Sequence, residues 1–89
     1  MKGIITVVGM DRVGIIARIC VYLSNEEINI LDLSQTIIQG IFNMIMIVDL
    51  SQTKRSFEEV ALGLAEVGES IGMQVKLQRE DIFNSMHRI

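Results

Sequence analysis

Residues 28–50 read INILDLSQTIIQGIFNMIMIVDL, and their pattern decides the fold. From Ile28 to Gln39, β-branched residues are mixed with polar ones. Gln39-Gly40 then supplies the permissive backbone of a tight turn, and Ile41 to Leu50 follows as a second run. This predicts a β-hairpin. Its second strand is apolar at both alternations, with Phe42, Met44, Met46 and Val48 on one and Ile41, Ile45 and Ile47 on the other. Side chains alternate faces along a strand, so both sides of this one must be covered. The apolar run Met44–Val48 is far short of the ~20 residues that span a bilayer.

Upstream of the hairpin, Lys2 to Val8 is rich in Ile, Val and Thr and ends at Gly9, a pattern that predicts a central strand. From Gly14 onward, Ile16, Ile19, Cys20 and Leu23 recur at helical spacing, and this helix should end near Asn25 or Glu26. Downstream, Ser56 and Glu59 have the spacing of a capping box. Phe57, Val60, Ala61, Leu64, Val67 and Ile71 form the inward stripe of the helix they open, and Gly72 suits its left-handed stop. Met73 to Arg79 alternates like a half-exposed edge strand, and Asp81 is placed to cap a short helix running to Arg88. The order is βαββαβ. Two β-α-β crossovers of one hand put both helices on one side of a sheet. The expected class is therefore α+β, a ferredoxin-like sandwich with a four-stranded antiparallel sheet, two helices on one face and a short C-terminal helix. Residues 1–80 make the domain and 81–89 its helical tail.

A chain of 89 residues supports a single core. Hydrophobic residues make up 49% but aromatics only 4%, so Ile, Val, Leu and Met build that core. The net charge of −3 argues against a nucleic-acid partner. The N-terminus, Met1-Lys2-Gly3-Ile4, lacks the apolar region of a secretory signal, and no stretch suits a membrane, so a cytoplasmic location is expected. The lone Cys20 has no disulfide or metal-ligand partner in the sequence and sits on the apolar helix stripe. His87, the only histidine, lies near the end of the chain. No nucleophile–base pair and no ligand spacing emerges, so we expect no catalytic residue, metal or cofactor, and not an enzyme. An acylphosphatase-like hydrolase would also use the loop after the first strand as an anion cradle. Arg12 is in the right region, but the surrounding residues do not resemble that family's loop.

Two helices cover only one face of such a sheet, so the second apolar face of strand three predicts self-association, with a dimer the simplest form. A competing cover is the tail, whose Ile82, Phe83, Met86 and Ile89 have helical spacing. One short helix would hide only part of a sheet.

Between the first strand and helix lies Gly9-Met10-Asp11-Arg12-Val13-Gly14. Such a junction aims unpaired backbone amides and the positive helix end at one spot, where a carboxylate could sit. A plainer reading makes Asp11 a helix cap and the two glycines turn residues. The long spacing and Lys-Ser/Thr of a phosphate-binding Walker loop are missing.

Val7-Val8-Gly9-Met10-Asp11-Arg12-Val13-Gly14-Ile15, with Ile28-Asn29-Ile30-Leu31-Asp32-Leu33-Ser34-Gln35-Thr36, resembles the opening half of ACT domains, and the whole chain is similar to the free-standing ACT proteins of the UPF0237 family. The resemblance implies a dimeric amino-acid-binding regulatory module, with ligand held between the loop of one subunit and strand two of its neighbour. Carried over residue by residue, the ligand-binding set is Gly9, Met10, Asp11, Arg12, Val13, Gly14, Ile15, Asn29, Ile30 and Asp32. Asp11 stands where amino-acid-binding relatives often have Asn, Gly14 matches the glycine that opens the helix, and Asn29 matches an Asn at the start of strand two. Val13 replaces a frequent Pro, and Gly9 lies where serine-sensing relatives carry a ligand-contacting His. The expected function is regulation of an unidentified protein through a bound amino acid. The alternative is a constitutive interaction module with the same fold and no small ligand.

Overall fold

The computed structural model describes residues 1–81; the expected tail helix falls mostly outside them. In chain order the elements are β1 (Lys2–Met10), α1 (Ile15–Asn25), β2 (Asn29–Ile38), β3 (Ile41–Asp49), α2 (Phe57–Ser70) and β4 (Met73–Arg79). The strands form one sheet in the order β2-β3-β1-β4, every neighbouring pair antiparallel. β1 and β2 therefore run parallel without touching, separated by β3. The predicted ferredoxin-like βαββαβ sandwich is what forms.

Local chemistry sets the boundaries. The β2–β3 hairpin turns on Gln39 and Gly40, both in the left-handed region at φ 51° and 78°. α2 opens on the predicted capping box: the Ser56 hydroxyl accepts the Glu59 amide, and the Glu59 carboxylate accepts the Ser56 amide. It stops at Ile71, followed by Gly72 at φ 71°. α1 opens differently. Its N-cap is Gly14 at φ 92°, with no side-chain bond. Asp11 is thus not its cap.

The core lies between the helices and one face of the sheet. Ile15, Ile19 and Leu23 from α1 and Val60 and Leu64 from α2 close over Ile5 and Val7 of β1, Phe42, Met44, Met46 and Val48 of β3, and Met73 and Val75 of β4. Two glycines of α2 mark close approaches. A Cβ at Gly68 would meet Val75 Cγ2 at 2.6 Å and the Met73 carbonyl oxygen at 2.7 Å, and one at Gly63 would collide with the Tyr22 ring. Each glycine costs a helix about 1 kcal/mol of propensity relative to Ala. Here it allows α2 to seat directly on β4 and on α1.

The opposite face is only partly covered. Ile4 is buried there, but toward the hairpin end Val8, Met10, Ile38, Ile41 and Ile45 are each 42–68% exposed. β2, at the edge of the sheet, is also poorly covered on its helix side, where Leu33 and Ile37 remain exposed. Among the described residues, no helix is long and apolar enough to cross a membrane.

Candidate ligand-binding crevice

β1 runs two residues further than its composition suggests. Gly9 pairs with Phe42 and Met73, and Met10 with Ile41, so neither belongs to the loop. A Cβ at Gly9 would lie 2.7 Å from Met73 Sδ and 2.9 Å from the Gly72 carbonyl oxygen. The glycine is there because the α2–β4 turn occupies the space, and a larger side chain at this position would displace it. Met10 points to the open face, away from the helices.

The loop proper is Asp11–Gly14. The Asp11 amide donates to the Gly40 carbonyl at 2.8 Å, tying the loop to the hairpin turn. Val13 projects fully into solvent. Gly14 has open space where a Cβ would stand, so its glycine answers to backbone conformation alone. The first amides of α1 are left without a side-chain cap, and its first turn carries no acidic residue, so the positive end of the helix is uncompensated by its own sequence.

Arg12 borders this space, but its guanidinium is engaged at the end of α2. Its Nη1 donates to the Ile71 carbonyl at the end of α2, at 3.2 Å. Sequence reading offers it as an anion contact; the structure uses it to cap a helix.

Beside the loop lies a crevice of about 280 Å³, lined by Asp11, Arg12, Gly14, Ile15, Ile16, Ala17, Gln35, Ile37 and Phe42. It exists because α1 leaves the outer half of β2 uncovered. Gln35 and Ile37 belong to it although sequence reading does not single them out. The signal was available: they precede a hairpin turn, and the antiparallel register brings that end of β2 beside the end of β1.

The other three expected residues sit elsewhere. Asn29 opens β2 at the end of the sheet opposite the loop, level with Asp49 and Lys2. That is about 25 Å of strand away, at ~3.3 Å per residue. Ile30 packs half-buried against the core. Asp32 follows a β-bulge, aligns with Ile47 of the open face, and accepts the Leu33 amide at 2.8 Å on its own carboxylate. One chain brings together Asp11 and Gly14–Ile15; it does not bring Asn29 or Asp32 to them.

Elsewhere, Arg55 bridges Glu26 at 3.0 Å and lies 3.9 Å from Glu59, and its pKa is raised first by the hydrogen bond to Glu26. These groups line a polar concavity at the other end of the helices. They are solvent-exposed ion pairs of the kind worth little individually. Among the described residues, no group of three His, Cys, Asp or Glu side chains is placed to hold a metal.

Comparison with known proteins is consistent along the chain. Residues 3–78 match the model of the ACT domain. A UPF0237 protein of Bifidobacterium longum is 54% identical over 88 residues, covering 99% of this chain and 98% of its own. A UPF0237 protein of Clostridium acetobutylicum is 53% identical over 89 residues, covering both chains completely. Among solved structures, an ACT domain protein from Streptococcus pneumoniae superposes with a TM-score of 0.83 at 33% identity, covering 98% of each chain. A sheet ordered β2-β3-β1-β4 under two helices, a match to the family model over residues 3–78 and near-complete alignment with these relatives agree: the chain belongs to the ACT domain family, within the UPF0237 group.

Proposed function

We propose that this protein is a non-catalytic cytoplasmic regulator that binds a free amino acid as a homodimer, with the ligand between the β1–α1 loop of one subunit and β2 of the other. The observation that carries this reading is the crevice beside the uncapped start of α1. Backbone amides there suit a carboxylate, Asp11 suits an ammonium group, and Ile37 and Phe42 offer an apolar wall. The residues separated within one chain are reconciled by pairing through the β2 edge. Antiparallel pairing of two β2 strands centred on Gln35 sets Asp32 of a second copy opposite Ile38 and carries its Asn29 past the hairpin turn, to the end of the sheet where the loop lies.

A second reading has its own support. The exposed patch of Val8, Met10, Ile38, Ile41 and Ile45 suits constitutive self-association or protein contact without any ligand.

A thermal-shift screen of the common L-amino acids, run on the wild-type protein and on Asp11→Ala and Asn29→Ala, separates the two. Selective stabilisation that disappears in both variants, with folding and dimer mass unchanged, supports the interfacial amino-acid site. No shift with any amino acid overturns it and favours the ligand-free module.

A further inference from the structure

We infer that Arg12 is a positioning residue, a strut from the β1–α1 loop to the C-terminal end of α2, and that it fixes the ligand crevice without its guanidinium touching the ligand. The inference deepens the proposed function and rests on it only for the ligand.

Three observations converge on this end of α2. First, the last turn of the helix contains no basic residue, although its terminal carbonyls carry the negative end of the helix dipole. Second, the missing cations come from the other half of the fold. Arg12 Nη1 donates to the Ile71 carbonyl at 3.2 Å, and Arg18 Nη2 donates to the Ser70 hydroxyl at 3.0 Å, which in turn donates to the Val67 carbonyl at 2.6 Å. Third, Arg12 Nη1 lies 3.5 Å from where a Cβ at Gly72 would be, so the guanidinium is seated against the turn itself.

That turn is the same one pressed against Gly9 at the end of β1. Beyond the first bond of α1 on Gly14, the loop is therefore held at three points: by the β1 pairing of Met10, by the Asp11 amide on Gly40, and by Arg12 on Ile71. Only the third is made by a side chain and so can be removed without breaking the sheet. It spans 59 residues of sequence and joins the loop to the helix that precedes β4. Occupancy of the crevice and the setting of the α2–β4 turn are thereby coupled, because both bear on one hydrogen bond.

The test compares Arg12→Gln, Arg12→Lys and, as a control on the same helix end outside the loop, Arg18→Ala. Backbone amide spectra of the ligand-free proteins come first. Arg12→Gln should move the Asp11–Ile15 and Gly72–Met73 amides together, and Arg12→Lys, which keeps a cationic donor, should move them less. Each common L-amino acid is then titrated. For any that binds the wild type, Arg12→Gln should weaken binding about tenfold, the weight of one charge-assisted hydrogen bond. Arg12→Lys should restore most of it, and Arg18→Ala should lower the melting temperature without changing affinity. Loss of binding as complete in Arg12→Lys as in Arg12→Gln would overturn the strut, because it would mean that the planar fork contacts the ligand. Unmoved loop amides in Arg12→Gln would overturn it equally. If no amino acid binds the wild type, the proposed function fails, and the ligand-free spectra alone decide the strut.

Discussion

Both faces of β3 carry large apolar side chains, and they have opposite fates. Phe42, Met44, Met46 and Val48 lie beneath the helices at 0–3% exposure, whereas Ile41 and Ile45, their neighbours in sequence, remain 44% and 46% exposed. Hydropathy is a property of the residue, but burial belongs to the layer above it. A strand of this composition therefore reports that both faces avoid water without saying what covers either. The helix-covered face is completed by the helices; among the described residues nothing completes the other.

The contrast is sharpest under truncation. Met46→Ala, beneath the helices, should destabilise the fold by about 2–5 kcal/mol, as large-to-small changes in closed cores do. Ile45→Ala should cost less than about 1 kcal/mol in dilute solution, since its side chain already meets solvent. Urea unfolding at two protein concentrations checks both. If the cost of Ile45→Ala grows with concentration, a second copy covers the open face.

Backbone crowding comes next. Gly9→Ala should cost about 1–3 kcal/mol by overpacking against Met73 and the Gly72 carbonyl. Gly14→Ala, in open space, should cost only about 1 kcal/mol for its left-handed backbone. Equal losses in thermal unfolding would show that the α2–β4 turn yields to a new methyl group.

The two helix starts offer a smaller contrast. Ser56→Ala removes a side-chain cap and should destabilise by about 1 kcal/mol. Gly14→Asn adds a side chain that tolerates positive φ, and should be nearly neutral for stability while obstructing the amides of α1. Calorimetric melting of both variants would test this, with an amino-acid titration of the second.

Acid should expose the smallest effect. Glu59 is held below the usual carboxylate range first by the hydrogen bond from the Ser56 amide, and Asp49 by that from the Ser51 amide. A depressed folded pKa contributes stability above the unfolded value, ~4 for these groups, and that contribution disappears as pH falls through the folded value. Melting temperature should therefore fall below about pH 4, and Glu59→Gln should make that fall shallower.

Most of the fold was legible because its signals are local. The capping box at Ser56 and Glu59, the Gln39-Gly40 turn and the stripe Val60, Leu64 and Ile71 each name a structure within a few residues. The site was half legible for the same reason. Gly14 and Asp11 were read correctly as loop residues, but Gly9 answers to Met73, and Arg12 answers to Ile71, partners more than fifty positions away. Gln35 and Ile37 enter the crevice only through the register of the hairpin against β1. Gly63 and Gly68 cost α2 helix propensity, and only packing shows that they are its points of contact. Asn29 and Asp32 are placed for ligand contact only if a second chain is counted.

The bulge between Ile30 and Asp32 has a bearing on assembly. An edge strand with a uniform ladder has no preferred alignment, and a newcomer can slide along it in steps of two residues while keeping every side chain on its proper face. An extra residue in the ladder bends the strand and ends its regular stretch. It acts as an end stop. Asp32–Ile38 is the segment left free of it, and two such segments fully overlap in only one antiparallel alignment, the one centred on Gln35. The reading frame of a dimer along this edge would then be set by the backbone, leaving the side chains of the crevice free to vary with the ligand.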